Sequence, residues 1–148
     1  MFKQIKQLFS SFSEQPSTMQ EHDLKTAIAA LLIEVMRADS EQQADELQTL
    51  ALTLKKYFNL SDEDVTELMQ NAGKSLDDAV DYFQFSKQIN AQCNAEQRIE
   101  IIELLWRLAY ADGELDPQEE YVIRRVANLL YVTHEDFIAA KLAATKLS

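Results

Sequence analysis

The chain is predicted to be an all-α protein, with about eight helices in one globular domain. Its 148 residues include only two glycines and two prolines, so tight strand turns have few places to form. Hydrophobic residues make up 47% of the chain, enough to bury a core at this length. No segment sustains strand alternation, whereas apolar residues recur at helical spacing after capping signals. Together these observations favour a single helical bundle.

Residues 1–17 are predicted to form a separate amphipathic helix and a linker. Phe2, Ile5, Phe9 and Phe12 follow one another at three- and four-residue steps, and a Ser-rich stretch with one proline comes next. Such a helix can pack on its own domain, on a second subunit or on a membrane surface. Only two lysines accompany the apolar stripe, so packing on protein is favoured over membrane binding.

Residues 18–148 form the main predicted domain, in which each helix opens on a polar capping signal. In chain order the signals are Thr18 with Glu21, Ser40 with Gln43, Ser61 with Asp64, Ser75, Asn94 with Gln97, Asp116 with Pro117, and Thr133. Gly73 is placed to stop the helix that opens at Ser61. Ser75 is therefore expected to begin a separate helix that runs to about Asn90.

Two stretches of the chain are near copies of each other. Leu31–Asp39 (LLIEVMRAD) reappears as Leu104–Asp112 (LLWRLAYAD), at an offset of 73 positions (39 to 112). A glutamate follows seven residues after each aspartate, at Glu46 and Glu119. Each copy then has a second amphipathic run and an acidic turn led by Ser or Thr. The pattern predicts two helical repeats related by an approximate two-fold axis.

The repeats span about 18–73 and 94–147, with the helix of about 75–90 between them, and their packing could bring the duplicated acids to one place. Ca²⁺ and Mg²⁺ prefer oxygen ligands, and several carboxylates gather at a cost unless a cation is present. The sequence therefore predicts a candidate divalent-cation site. Its ligands would be Asp39, Glu46, Asp112 and Glu119, with Glu114 and Asp116 peripheral.

Turn and cap chemistry is the alternative explanation of these acids. Acids at helix starts accept from free backbone N–H groups and favour the helix dipole. Asp39 and Asp112 can instead bond the backbone of their own turns. The alternating acids from Asp112 onward are like the opening of an EF-hand loop, but Pro117 and Ile123 stand at its glycine and glutamate positions, so this is not an EF-hand.

The segment Ala111–Glu119 (ADGELDPQE), between two apolar helices, resembles the signature of the tellurite-resistance TerB family. It is similar also to the TerB-like region of the membrane-anchored J-domain co-chaperone DjlA. The first half matches more weakly, with Ser40 where the pattern has glycine, and the resemblance covers about residues 18–147. It implies an all-helical domain with an acidic metal-binding centre and roles in stress response or membrane-linked complexes.

By motif position, the resemblance implies Asp112 and Glu119 as ligands, with Asp39 and Glu46 as the partner set. The chain has no His-Pro-Asp motif of a J-domain, so co-chaperone activity does not carry over. Nothing in these residues chemically requires tellurite.

Composition and motifs narrow the function to a non-enzymatic binding or scaffold module. With 14 basic and 25 acidic residues, the formal charge of −11 excludes a basic nucleic-acid footprint. No phosphate loop, catalytic triad order or paired-histidine helix is present. Two rivals stay open: a metal-independent adaptor that uses the N-terminal helix or an apolar groove, and a hydrolase that uses a metal-bound water.

We expect a cytoplasmic location, since no signal-length apolar run opens the chain. A protein partner is expected, with a membrane-associated complex or a homodimer as alternatives. Trp106 and Tyr110, four residues apart, are predicted to pack in the core. Glu34 and Arg37 are predicted to form a solvated pair on one helix. Cys93, the single cysteine, is interpreted as an incidental thiol.

Overall fold

The structure, a computed structural model, describes residues 19–37, 44–79, 82–110 and 117–146, with the side chains of 24–37, 48–79, 82–110 and 117–145. These ranges hold seven helices and no strand, which confirms the predicted all-α class. The helices are α1 (Met19–Arg37), α2 (Ala44–Phe58), α3 (Asp62–Asp78), α4 (Phe83–Gln92), α5 (Ala95–Ala109), α6 (Pro117–Leu129) and α7 (His134–Lys146). The predicted N-terminal helix of residues 1–17 lies outside the described residues.

Helix α1 lies at the centre of the fold. Every residue from Ala27 to Ile33 is buried, so the helix is covered on all faces. A helix that is apolar all round requires neighbours on every side. Helix α1 contacts α2, α3, α4, α5 and α6, and the buried side chains form one core. This packing confirms one globular domain.

The two halves of the chain are built in the same way. Helix α1 packs mainly on α3, and α5 packs mainly on α7. The helix before each corner is followed by a residue with positive φ, Asn59 at 54° and Tyr131 at 58°. The next backbone N–H then donates back to a carbonyl five residues earlier, Leu60 to Lys55 at 3.0 Å and Val132 to Ala127 at 2.9 Å. The α2–α3 and α6–α7 corners therefore repeat one helix-ending motif.

The predicted caps of α3 and α7 are confirmed. Ser61 Oγ accepts from the Asp64 backbone N–H at 3.1 Å, and Thr133 Oγ1 accepts from the Asp136 N–H at 3.2 Å. Each hydroxyl satisfies one of the N–H groups that the first helical turn leaves free.

The turn between α4 and α5 is tied to the end of α6. Asn94 and Gln97 form the predicted capping box, with bonds of 2.9 and 2.7 Å. Arg98 Nη1 donates to the Leu130 carbonyl at 3.2 Å, and Asn90 Nδ2 donates to the Leu129 carbonyl at 3.0 Å. The last carbonyls of α6, which have no partner within the helix, thus gain side-chain donors.

The predicted helix start at Ser75 is wrong. Helix α3 continues through Gly73 and Ser75 to Asp78, so no new helix begins at Ser75. A glycine inside a helix costs only about 1 kcal/mol. Burial of Ala72 and Leu76 on the face of α3 that packs against its neighbours offsets that cost.

The predicted pair between Glu34 and Arg37 is also wrong. Tyr82 Oη donates to Glu34 Oε1 at 2.5 Å, and Arg37 Nη1 binds Asp77 Oδ1 at 2.7 Å. Both α1 side chains reach partners outside their own helix, which a pattern within one helix does not indicate. Within the described ranges, none of the helices has both the length and the apolar character to cross a membrane.

Candidate functional site

Two of the predicted acidic ligands fall in the first turns of α2 and α6. Glu119 is in the first turn of α6, and its side chain is 5% exposed. Glu46 falls in the first turn of α2, where the structure describes the backbone but not that side chain. Asp39, Asp112, Glu114 and Asp116 lie outside the described residues. The structure therefore gives the surroundings of one of the six acids and leaves their convergence a prediction.

Two adjacent acids in the first turn of α6 have different environments. Glu119 is buried and takes part in a polar or electrostatic contact. Glu120 is partly exposed, and its Oε1 lies 3.8 Å from Arg124 Nη2 and 3.7 Å from Lys141 Nζ. Glu120 therefore links α6 to α7. Glu119 points into the protein, where an ionised carboxylate is stable only with compensating partners.

Both readings of Glu119 agree with its position. The N-terminus of a helix favours a negative charge, so the carboxylate can serve the helix itself. A buried carboxylate just after a run of acidic residues in the sequence is also suited to a divalent cation. In the part of the chain that the structure describes, no three His, Cys, Asp or Glu side chains come together as a metal-binding group.

The helical register distinguishes the two acidic corners. The two corners can be aligned on their positive-φ residues. The residue twelve positions before Tyr131 is Glu119, and the residue twelve positions before Asn59 is Leu47. Glu46 falls opposite Gln118, because the first half has one extra residue between its aspartate and its corner. The sequence offset of 73 therefore matches Glu46 with Glu119, whereas the register of α2 and α6 shifts that match by one position. In the helical register, therefore, Glu46 and Glu119 do not occupy equivalent positions.

Aromatic side chains pack at the end of α5, directly before residues 111–116. Trp106 is fully buried, its ring centroid lying 6.0 Å from Tyr110 and 5.1 Å from Phe137. Lys141 Nζ lies 5.2 Å from the indole centroid, a cation–π distance. Core packing of Trp106 and Tyr110 is thus confirmed. The indole N–H has no hydrogen-bond acceptor among the described residues.

Burial changes the acid–base behaviour of two groups near this core. It raises the pKa of the Cys93 thiol to about 11, so the thiol stays protonated near neutral pH and is a poor nucleophile. Burial also raises the pKa of Glu103, and the neighbouring Arg107 opposes that shift. Neither group was a sequence-predicted site residue, and the buried Cys93 agrees with an incidental thiol.

Sequence reasoning missed a contact between α4 and α6. The Arg125 guanidinium carbon lies 5.8 Å from the Tyr82 ring centroid, and Nη1 donates to Tyr121 Oη at 3.5 Å. Tyr121 and Arg125 are four residues apart on one helix, which is a visible signal. Tyr82 comes from elsewhere in the chain, so only the tertiary fold reveals the group.

Comparison with known proteins places this fold in a family. A family model described as Tellurite resistance protein TerB matches residues 25–142, from within α1 to within α7. No curated protein and no solved structure gives a significant match. The matched span covers well over half of the 148 residues and includes both acidic corners. The chain therefore belongs to the TerB family.

Proposed function

We propose that this TerB domain is a non-enzymatic binding or scaffold module that takes Ca²⁺ or Mg²⁺ at its acidic corners. The observation that carries the proposal is the burial of Glu119 in the first turn of α6, shortly after the acidic sequence of residues 111–116. Membership of a family named for tellurite resistance supports a role linked to stress response.

Asp112 and Glu119 are the proposed primary ligands. Asp39 and Glu46 are the second set, and Glu114 and Asp116 are peripheral. Carboxylate oxygens are the ligands that hard divalent cations prefer. A bound cation would offset the repulsion among these acids and stabilise the connection between α5 and α6. Because Ser40 stands where the second copy has Gly113, the second corner is proposed as the stronger of the two.

Titration with Ca²⁺, Mg²⁺, Mn²⁺ and Zn²⁺ tests this function in the full chain. A cation that binds only the folded state should stabilise it by about 2.7 kcal/mol at a hundred times its dissociation constant. The melting temperature measures that gain. Fluorescence of Trp106, the single tryptophan, gives a second readout because its ring stacks on Tyr110, two residues before Asp112 in the sequence.

Matched variants separate ligand loss from general charge loss. Asp112→Asn with Glu119→Gln should abolish the cation-dependent gain, and Asp39→Asn with Glu46→Gln should reduce it less. Glu63→Gln, at an exposed position of α3, should leave the gain unchanged. Absence of stabilisation in the wild type, or an equal gain in the Asp112 and Glu119 double variant, contradicts cation binding. Asp112→Asn alone serves if the substitution at the buried Glu119 prevents folding.

A metal-independent adaptor is the second candidate function. Several large apolar or aromatic side chains are exposed in the described part of the chain, a feature common at binding surfaces. They are Leu52, Phe83, Tyr121, Tyr131 and Leu142. On this proposal the module acts in the cytoplasm on a protein partner, within a membrane-associated complex or as a homodimer. Nucleic acid is an unfavourable partner at a charge of −11.

Deletion of residues 1–15 tests the adaptor function. If the N-terminal segment provides the contact, the shortened chain should lose dimerisation in sedimentation velocity or lose its partner in pull-down experiments. Its cation response should stay that of the full chain. Unchanged association after the deletion would remove the N-terminal segment from this role.

A further inference from the structure

Helices α4 and α6 contact each other and present a joint surface, here called the α4–α6 face. It is defined by Tyr82 and Tyr121, which both contact Arg125, together with the exposed Phe83 and Lys87 of α4. Phe83 is 60% exposed and Tyr121 is 62% exposed, while Lys87 and Arg125 are also exposed. Tyrosine and arginine are enriched among the residues that contribute most to protein binding. The face thus has the composition of a binding surface.

The α4–α6 face carries two exposed cations, Lys87 and Arg125, and one described carboxylate contacts it, the partly buried Glu34 that accepts from Tyr82 Oη. Helix α4 contains no acidic residue, and the two acids of α6 are the buried Glu119 and the paired Glu120. Neither helix therefore presents an unpaired exposed carboxylate here, in a chain of charge −11. Helix α3 is the contrast, because it carries six exposed acids. These are Asp62, Glu63, Asp64, Glu67, Asp77 and Asp78.

Arg125 is held in place without a carboxylate partner. Its guanidinium lies against the Tyr82 ring and donates to Tyr121 Oη. The Tyr82 hydroxyl is itself fixed by its bond to Glu34. No described carboxylate forms an ion pair with Arg125. An arginine ordered in advance loses less conformational entropy when it binds a carboxylate through its two-pronged geometry.

The repeat fold does not require this arrangement. Six and ten residues before the positive-φ position, α6 has Arg125 and Tyr121, whereas α2 has Thr53 and Thr49. Thr53 Oγ1 donates to the Thr49 carbonyl at 2.9 Å, so that pair is satisfied within its own helix. The same position in the same motif is thus filled without an arginine.

We propose that the α4–α6 face binds an acidic segment of a partner protein. A carboxylate of the segment pairs with Arg125, and an adjacent aromatic or aliphatic side chain packs on Phe83 and Tyr121. Charge complementarity selects an acidic segment. This binding uses none of the proposed metal ligands and does not depend on the cation.

Other anionic partners fit less well. Two exposed cations on a chain of charge −11 are too few to attract a bilayer or a polynucleotide. A second copy could offer the acidic surface of α3, but different surfaces would then meet head to tail. Such contacts build open chains unless the rotation closes a ring.

Selection from a phage-displayed library of random peptides about 16 residues long tests the proposal. The full wild-type chain is the target, and Arg125→Gln is used for counter-selection. The enriched peptides should contain Asp or Glu next to aromatic or aliphatic residues. One enriched peptide is then synthesised with a twin in which Asn and Gln replace Asp and Glu. Fluorescence anisotropy should detect binding of the acidic peptide and not of the twin.

Two substitutions of exposed cations provide the matched comparison. Arg125→Gln should weaken binding by about tenfold or more, because it removes a charge-assisted pair. Lys56→Gln removes one charge from the exposed side of α2 and should change the affinity by less than about twofold. Circular dichroism and melting checks establish that each variant folds. Should Arg125→Gln unfold, Arg125→Lys replaces it and should weaken binding severalfold, because lysine cannot make the forked contact.

Several outcomes overturn the proposal. They are selection without acidic enrichment, equal binding of the twin, and full affinity in Arg125→Gln. Arg125-dependent binding to vesicles of phosphatidylcholine with phosphatidylserine would assign the face to a membrane. Arg125-dependent self-association in sedimentation velocity would assign it to a second copy.

Discussion

The two halves of this domain share their interior and differ at their surface. Both corners end one helix at a positive-φ residue and cap the next with a hydroxyl. At an offset of 72 residues, buried positions match buried positions. The pairs are Leu54 with Val126, Phe58 with Leu130, Val65 with Phe137, Leu68 with Ala140, and Ala72 with Ala144. Positions outside the core have diverged, from Asn59 to Tyr131 and from the partly buried Thr53 to Arg125. Packing therefore restricts the side chains at buried positions, whereas positions outside the core can acquire new binding properties.

The largest expected effect tests whether the two halves unfold as one unit. Leu32 and Leu105 are register partners in α1 and α5, and both are fully buried. Leu32→Ala and Leu105→Ala should each lower the free energy of unfolding by about 2–5 kcal/mol through lost burial and a residual cavity. Denaturant unfolding, followed by circular dichroism and by Trp106 fluorescence, measures both losses.

A single transition should persist in both variants, because α1 and α5 contact each other across the halves. If Leu105→Ala splits the unfolding curve while Leu32→Ala does not, the halves are separate cooperative units. The comparison would then describe two small domains, not one.

Local signals predicted the fold well because they act within a few residues. The capping box at Asn94 depends on a side chain three positions away, and the structure contains it. The predicted helix end at Gly73 is wrong because burial of the neighbouring residues outweighs the local cost of a glycine in the helix. Glu34 accepts a hydrogen bond from Tyr82, which lies 48 residues later in the chain, so no local pattern indicates this pair. The candidate metal site depends on such distant convergence, so spacing could name its acids but not place them together.

The next effect concerns how α6 is terminated. Asn90 donates to the Leu129 carbonyl at 3.0 Å and accepts from Arg98 Nη1 at 3.4 Å. Asn90→Ala should cost about 1–3 kcal/mol, because partly buried polar groups lose their partners. Gln84→Ala, at an exposed position of the same helix, should stay within about 0.5 kcal/mol of wild type. Equal losses in the two variants would show that α6 does not depend on this tie.

A smaller effect of opposite sign is expected at the positive-φ positions. The left-handed conformation costs an ordinary L-residue about 1–2 kcal/mol, whereas asparagine tolerates it. Tyr131 is 77% exposed, so its side chain loses little packing when removed. Tyr131→Gly should stabilise the fold by about 0.5–1 kcal/mol after the entropy cost of glycine, and Asn59→Gly should be nearly neutral. Thermal melts of both variants make the comparison, and destabilisation by Tyr131→Gly would reveal packing that its exposure does not indicate.

The smallest expected effect concerns one matched position that is apolar in α1 and acidic in α5. Ala30 of α1 is fully buried, and its register partner in α5 is the partly buried Glu103, whose pKa burial raises. The folded protein therefore holds this proton more tightly than the unfolded chain, so ionisation of Glu103 lowers stability as pH rises through its pKa. Glu103→Gln should raise the melting temperature at pH 7, and the gain should shrink on acidification as the wild-type carboxyl becomes neutral. Melts of both proteins across the acidic range measure the difference, and a gain that stays constant with pH would assign it to side-chain packing instead of charge.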